Sequence, residues 1–149
     1  LASLDFVASP LKRTSETMEI VREDAGLERS GYRTDDRLKE IHFGHWQGHY
    51  WPEVPSVDPE GHAARTADPF NWRPEGGESY ADLTKRCAAW FDQLEDDTVC
   101  VSHGGVSRVL RGHVGNHEPD AITELSVPQD RILVFRHGPA GITAEWIDR

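Results

Sequence analysis

One stretch decides the fold: Val99-Cys100-Val101-Ser102-His103-Gly104-Gly105-Val106. Residues 98–101 are mostly apolar and β-branched, which predicts a short buried parallel strand. Apolar residues then return with helical spacing from Val106 onward, so a helix follows the strand directly. His103 therefore lies where a strand ends and a helix begins, and in an open α/β sheet that edge is the usual ligand crevice.

The turn at His103 has the features of an anion site. Gly104 and Gly105 permit a tight turn and a close approach of a ligand to the backbone. The first N–H groups of the following helix have no partner within the helix and attract phosphate above all. A histidine that only packs at the turn is the alternative, and these residues alone leave both interpretations open.

Composition narrows the class of protein. The chain has 149 residues, enough for one domain with a core, and its 26 acidic and 16 basic residues give a net charge of −10. Such a charge repels nucleic acid and anionic membranes, so we expect neither as a partner. No apolar run is long enough to span a bilayer, and no signal-peptide pattern is present. The sequence does not fix the oligomeric state, and a homodimer is one option.

The cysteines indicate a reducing compartment. Cys87 and Cys100 both fall within apolar patterns, one helical and one extended, and are predicted to be core residues without a disulfide. This favours a cytoplasmic protein. We see no internal repeat and no low-complexity segment, and we treat residues 1–149 as a single domain.

The N-terminal segment predicts a strand over residues 4–8 followed by a helix. Ser9 is the expected N-cap with Pro10 in the first turn, and the helix ends near Ala25 because Gly26 follows. Arg13 falls in the first turn, where the macrodipole disfavours a cation. An arginine that reaches to an anion in the crevice would explain it, and so would a surface arginine. The expected core residues of this helix are Leu11, Met18, Val21 and Ala25.

The segment of residues 37–48 is predicted to be a turn-rich loop that carries a carboxylate. Glu40 precedes Ile41, and partial desolvation would suit it to proton transfer. A solvated glutamate is the alternative. A metal site is also conceivable from the three histidines of the region, but no regular element places them on one face, so we expect no metal site. These histidines are His42, His45 and His49.

The middle and the end of the chain complete the pattern. Residues 50–78 are rich in Pro, Trp and Gly and predict a loop with a short helix near residues 62–66, whose aromatic residues form either a pocket or a satellite cluster. Ser79 with Asp82 is a capping pattern. The helix that follows buries the stripe Leu83, Cys87, Trp90 and Leu94, and strands over residues 131–135 and 142–147 form a hairpin. The fold class is therefore α/β, with a mostly parallel sheet and an antiparallel edge strand.

Four separated motifs resemble the histidine phosphatase superfamily, also called the phosphoglycerate mutase-like family. They are Ser9-Pro10-Leu11-Lys12-Arg13-Thr14, the segment of residues 38–48, Gly76-Gly77-Glu78-Ser79, and Ser102-His103-Gly104-Gly105 with Arg108. The resemblance covers nearly the whole chain and implies a three-layer phosphoglycerate mutase-like sandwich. By the same resemblance, Arg13, His103 and the backbone of Gly104 bind phosphate, and Glu40 and His103 are catalytic, with Glu40 as the proton donor.

The chain departs from the family in one respect. The family opens with a strand that ends in Arg-His-Gly, whose histidine is the nucleophile, and no such motif precedes Ser9. We therefore expect the first strand and helix, with the nucleophile, to lie upstream of this sequence. Arg136-His137-Gly138 repeats the letters inside the predicted hairpin, and we interpret it as a coincidence. A circular permutation is the alternative, but only residues 139–149 follow the motif.

The resemblance implies a phosphatase of a small phosphorylated metabolite that works through a phosphohistidine, without a metal or another cofactor. The short segment between Glu40 and His103 favours a phosphatase over a cofactor-dependent phosphoglycerate mutase, which remains an alternative. A catalytically inactive phosphate-ligand-binding protein on the same fold is a second alternative. Without its nucleophile, the chain as it stands is expected to be inactive.

Overall fold

The computed structural model describes residues 3–148. Their regular elements, in chain order, are β1 (Asp5–Ala8), α1 (Lys12–Asp24), β2 (Arg33–Thr34), α2 (Val54–Val57), α3 (Pro59–Ala67), α4 (Tyr80–Phe91), β3 (Thr98–Val101), α5 (Gly104–Gly115), α6 (Pro119–Glu124), β4 (Ile132–Gly138) and β5 (Gly141–Ile147). Three short 3₁₀ turns occupy Asp36–Leu38, Gly44–Trp46 and Trp51–Glu53. No helix within residues 3–148 is long and apolar enough to cross a bilayer.

The strands confirm the α/β class. The parallel sheet has the order β2-β1-β3, with Val7 beside Arg33 on one side and Cys100 on the other. Strands β4 and β5 form an antiparallel hairpin that is a separate two-stranded sheet. Its pairing runs from Ile132 opposite Ile147 to Gly138 opposite Gly141. The carboxyl ends of β1 and β3 lie side by side. The first leads into the motif that begins at Ser9, and the second into the motif that begins at Ser102.

Helices cover both faces of the parallel sheet because successive residues of β1 point to opposite sides. Val7 is fully buried in a core shared with α4 and α5. Phe6 and Ala8 face the other way and pack with Met18 of α1. This arrangement gives the three layers that the resemblance implies.

Helix α1 differs from expectation at its start and on its buried face. The helix begins at Lys12, with Leu11 at the N-cap position and no side-chain cap, so the predicted N-cap, Ser9, lies two residues before that position. Val21 was expected in the core but is 38% exposed. Arg22 takes that place, since it lies two turns after Thr14 on the same face, and its guanidinium stacks 4.5 Å from the Phe6 ring centroid. The end of the helix near Gly26 is as predicted.

The short parallel strand predicted at residues 98–101 is present, but the prediction that it is buried was wrong. Among the described residues, β3 pairs with β1 alone and is therefore an edge strand, with Cys100 exposed. Cys87 is buried as predicted, and the two cysteines form no disulfide. The α4 stripe is also confirmed for Leu83 and Trp90, while Leu94, beyond the end of α4, is partly buried.

Candidate active site

His103 lies at the carboxyl end of β3, in the N-cap position of α5. Its ring is half-buried and joins two segments that are distant in sequence. Nδ1 lies 3.1 Å from Nη2 of Arg13, and Nε2 lies 2.9 Å from the Ser9 hydroxyl. Ser9 directly follows β1 and is fully buried. The side chains that follow the neighbouring ends of β1 and β3 are therefore in contact with each other.

These contacts assign the tautomer of His103. A guanidinium can only donate hydrogen bonds, so Nδ1 accepts from Arg13 and carries no proton. The ring proton is then on Nε2, which donates to the Ser9 hydroxyl. Burial, with the positive charge of Arg13 nearby, lowers the pKa of His103, consistent with a neutral imidazole. Sequence reasoning assigned Ser9 to a helix cap and missed this contact, because only the tertiary structure brings His103 to it.

Arg13 projects from the first turn of α1 toward the crevice. Only one of its five N–H donors is used by His103, so the others can meet an anion. The open side of the same crevice is the N-terminus of α5, where the first N–H groups, that of Gly104 among them, have no acceptor within the helix. Although Arg13 is exposed, its guanidinium therefore reaches across to the His103 ring.

Glu40 joins the same crevice from the irregular segment after the Asp36–Leu38 turn. One carboxylate oxygen accepts from the N–H of Gly105 at 3.2 Å, and the other accepts from the N–H of Ile41 at 2.9 Å. The approach is close because Gly105 has no side chain, and a Cβ there would lie 2.4 Å from Glu40 Oε1. Arg13, Glu40 and His103 thus converge on one end of the parallel sheet.

An arginine of α4 holds the segment that carries Glu40. Arg86 donates to the carbonyl oxygen of Arg37 at 2.6 Å and to that of Glu40 at 3.4 Å. Its other donors bind the Glu78 carboxylate at 2.8 and 2.9 Å. Burial opposes ionisation of Glu78, but the hydrogen bonds and charge of Arg86 outweigh it and lower the pKa of Glu78. Glu78 in turn accepts from the N–H of His42. The Arg86–Glu78 ion pair therefore holds the backbone on both sides of Glu40, at Arg37 and at His42.

Aromatic residues form a cluster in the segment that follows Glu40. Trp46 is buried, stacks on Trp72 with 4.4 Å between ring centroids, and meets Trp51 edge-on at 5.8 Å. Its indole N–H donates to Asp58, which also bonds His45. The sequence predicted either an aromatic cluster or a pocket in this region. The structure has both, since Phe43, Trp46 and Trp51 also line a pocket of about 150 Å³.

The three candidate metal-ligating histidines do not come together. His45 bonds Asp58 through Nε2, whereas Nδ1 of His42 accepts from the backbone N–H of Gly44. Within residues 3–148, no group of three or more His, Cys, Asp or Glu side chains is arranged to hold a metal ion.

Two glycines at the start of α5 provide a matched test of the Glu40 contact. We expect Gly105→Ala to lower the free energy of unfolding by about 1–3 kcal/mol, because the new methyl group would displace the Glu40 carboxylate. Gly104→Ala should instead be neutral or stabilising by up to about 1 kcal/mol, because its methyl would meet only Val127 at 3.7 Å, an ordinary contact. Urea denaturation of the two variants measures both. Equal destabilisation would contradict the geometry assigned to Glu40.

Comparison with known proteins shows the family to which the chain belongs. Residues 2–148 match the family model of the histidine phosphatase superfamily (branch 1). A glucosyl-3-phosphoglycerate phosphatase of Mycobacterium tuberculosis is 32% identical over 118 residues, which cover 70% of this chain and 51% of that protein. Phosphoglycerate mutase-like protein 4 of Arabidopsis thaliana is 34% identical over 109 residues, 69% of this chain and 46% of that protein. The matched region thus spans about half the length of these curated relatives, and only 13% of 6-phosphofructo-2-kinase 1 of Saccharomyces cerevisiae.

Solved structures share the fold. An α-ribazole phosphatase from Shigella flexneri superposes with a TM-score of 0.82 at 20% identity, covering 99% of this chain and 73% of that one. A mycobacterial glucosyl-3-phosphoglycerate phosphatase in complex with inorganic phosphate has a TM-score of 0.75 at 26% identity, covering 97% and 75% of the two chains.

Proposed function

Because the chain belongs to the histidine phosphatase superfamily, we propose that it is a phosphoric monoester hydrolase that acts on a small phosphorylated metabolite through a phosphohistidine intermediate. The observation that carries this proposal is the convergence of Arg13, His103 and Glu40 at the carboxyl ends of β1 and β3. Phosphoryl transfer depends mainly on positioning and charge neutralisation, and this crevice offers a guanidinium, an imidazole and a helix N-terminus.

The proposed binding mode uses donors from Arg13, Gly104 and His103, of which the His103 N–H must turn from its present partner. The free N–H groups of Arg13 and the N–H of Gly104 meet the phosphate oxygens, and the Nε2–H of His103 turns from Ser9 to the transferring group. A planar guanidinium suits the phosphate geometry. These donors stabilise the charge that builds up on the equatorial oxygens in the transition state.

The proposed chemistry has two steps. A histidine that we place upstream of Leu1 attacks phosphorus, a P–N bond forms as the P–O bond to the alcohol breaks, and the protonated Glu40 carboxyl gives its proton to the leaving alcohol. Glu40 then takes a proton from a water molecule that attacks phosphorus, the P–N bond breaks, and inorganic phosphate leaves. His137 is a poor candidate for the nucleophile because it lies in β4, within the separate hairpin.

Phosphate release from p-nitrophenyl phosphate tests the proposal. We expect turnover from a longer version of the protein that includes the upstream segment, unchanged by a chelator, and none from the 149-residue chain alone. Robust activity of the shorter chain would place the nucleophile within it and would make His137 the first candidate. Loss of activity on chelation would indicate a metal. Adding phosphoglycerates separates hydrolysis from the mutase alternative, since a mutase would pass the phosphoryl group to a second hydroxyl instead of to water.

A further inference from the structure

Helices α2 and α3 belong to a weakly anchored part of the chain, residues 50–67, called here the α2–α3 segment. Helix α3 has no buried residue, and α2 buries only Val54. Tyr50, Trp51 and Val57 are large apolar side chains that remain exposed. A segment that buries so little apolar surface opens at a lower free-energy cost than the core helices. The contacts that keep it docked therefore decide how often it opens.

A single carboxylate, that of Asp58, is the polar anchor of this segment. Among the described residues, no backbone hydrogen bond joins the α2–α3 segment to a part of the chain that is distant in sequence. The side-chain hydrogen bonds that leave the segment, as far as the structure describes the chain, all end at Asp58. One Asp58 oxygen caps α3 through the N–H of Gly61. The other accepts from His45 Nε2 and from the Trp46 indole N–H, each at 2.9 Å.

Both ring nitrogens of His45 face hydrogen-bond acceptors. Nε2 lies 2.9 Å from the Asp58 carboxylate, and Nδ1 lies 3.4 Å from the carbonyl oxygen of Glu75. A neutral imidazole carries one N–H group, and only the imidazolium carries two. Both contacts are therefore hydrogen bonds only when His45 is protonated. The protonated ring then connects the start of α3 to the turn at Glu75.

The charges around His45 favour its protonated form. The hydrogen bond to Asp58 is the main reason that the pKa of His45 is raised, and the charges of Asp58 and Glu75, which face the ring from α3 and from the turn before Gly76, add to it. Hydrogen bonds from Gly61 and Trp46 lower the pKa of Asp58, so Asp58 stays ionised and His45 is the partner that titrates. Its stabilising contribution is complete at low pH and is lost as the pH rises through the raised pKa of His45.

We propose that His45 is a pH-dependent clamp on the α2–α3 segment. As an imidazolium, His45 holds the ionised Asp58 carboxylate and the Glu75 carbonyl oxygen together. Loss of the ring proton removes the positive charge and one of the two hydrogen bonds. The Trp46 indole does not titrate and still binds Asp58, so the segment does not unfold but opens more often.

The α2–α3 segment lies next to the loop that carries Glu40. Trp51 packs against Phe43 with 6.0 Å between ring centroids, and Phe43 comes three residues after Glu40. The pocket of about 150 Å³ in this interface shows that the segment and the loop are incompletely packed. Each opening therefore exposes the loop to solvent, and the proton on His45 regulates how often this happens.

Limited proteolysis tests the clamp and requires no turnover. The protein that carries the upstream segment is digested with a broad-specificity protease at about pH 6 and about pH 8.5, on either side of the range in which histidine titrates. Cleavage within residues 50–67, divided by the cleavage rate of an unfolded reference peptide at the same pH, reports the population of the open segment. We expect this ratio to be roughly fivefold higher at the higher pH, the effect of losing one partly screened ion pair. An equal ratio at both pH values would overturn the proposal.

Two substitutions assign the response to one histidine. His45→Gln keeps a donor for Asp58 but does not titrate, so we expect the same high cleavage ratio at both pH values. His49→Gln is the matched control, because His49 is an exposed histidine of the same loop whose ring forms no hydrogen bond to any residue that the structure describes. It should keep the response of the parent protein. A response that persists in His45→Gln, or that is lost in His49→Gln, would contradict the assignment.

The titration of the His45 ring, followed by NMR, is an independent measurement. We expect its midpoint to lie above the ordinary histidine value of about 6.5. Asp58→Asn, which retains a cap for α3, should return the midpoint toward that value. A midpoint at or below the ordinary value in the parent protein would refute the clamp. If the protein hydrolyses no phosphate ester but shows both responses, the proposed function fails and the clamp stands.

Discussion

Replacing His103 by alanine is expected to lower kcat/KM for p-nitrophenyl phosphate by about 10²–10³-fold in the protein that carries the upstream segment. The imidazole is proposed to stabilise the transferring phosphoryl group, and the loss of one such donor typically has this effect. His103 also positions Arg13 through the 3.1 Å contact between Nδ1 and Nη2. The variant therefore removes the imidazole donor and also loosens the position of the Arg13 guanidinium.

His113→Ala is the matched control for that experiment. His113 also belongs to α5, and its Nε2 lies 2.8 Å from Asp92, but it is on an exposed part of the helix away from the crevice. Its loss should leave kcat/KM nearly unchanged. Comparable losses in the two variants, or a His103→Ala enzyme with nearly full activity, would contradict the role assigned to His103.

Removing Arg86 is expected to have the largest effect on stability. Arg86→Met leaves the Glu78 carboxylate, whose side chain is 26% exposed, without its counter-charge, and it removes the donors to the carbonyl oxygens of Arg37 and Glu40. Breaking one half of a largely buried ion pair costs about 3 kcal/mol or more. The free energy of unfolding from urea denaturation measures the loss.

Arg29→Met provides the comparison for Arg86. Arg29 also pairs with two carboxylates, those of Glu19 and Glu23, but its side chain is 50% exposed. Solvent screens such pairs, so this variant should change the urea midpoint little. A similar midpoint shift for both variants would show that the Arg86 network does not stabilise the loop that carries Glu40.

The features that sequence reasoning located correctly depend on local patterns. The change from an extended to a helical period around His103 fixed the strand, the turn and the start of α5. The Ser79–Asp82 pair fixed the start of α4, with reciprocal hydrogen bonds at 3.1 and 2.9 Å. The placement of Arg13 against the helix dipole was a weak local signal, and the structure gives it a partner in the crevice.

The features that sequence reasoning missed depend on contacts between segments that are distant in the sequence. Arg86 lies one position before Cys87 on the buried side of α4, and a cation there requires a partner, but the sequence does not say which of the 26 acidic residues provides it. The edge position of β3 follows from strand order, which local periodicity does not encode. Arg22 replaces Val21 in the core because its guanidinium stacks on Phe6, and hydrophobicity alone cannot predict such a contact.

The separate β4–β5 hairpin affects how the protein is expected to move. Among the described strands, β4 and β5 pair only with each other, so no strand pairing joins them to the parallel sheet. They dock through side chains, with Phe135 against Phe91 at 5.0 Å and Trp146 beneath Arg111. Such an element is suited to open as one cooperative unit, with its amide hydrogens exchanging together. Because the residues of the proposed phosphate site come from other segments, we expect their amide hydrogens to exchange more slowly than those of β4 and β5.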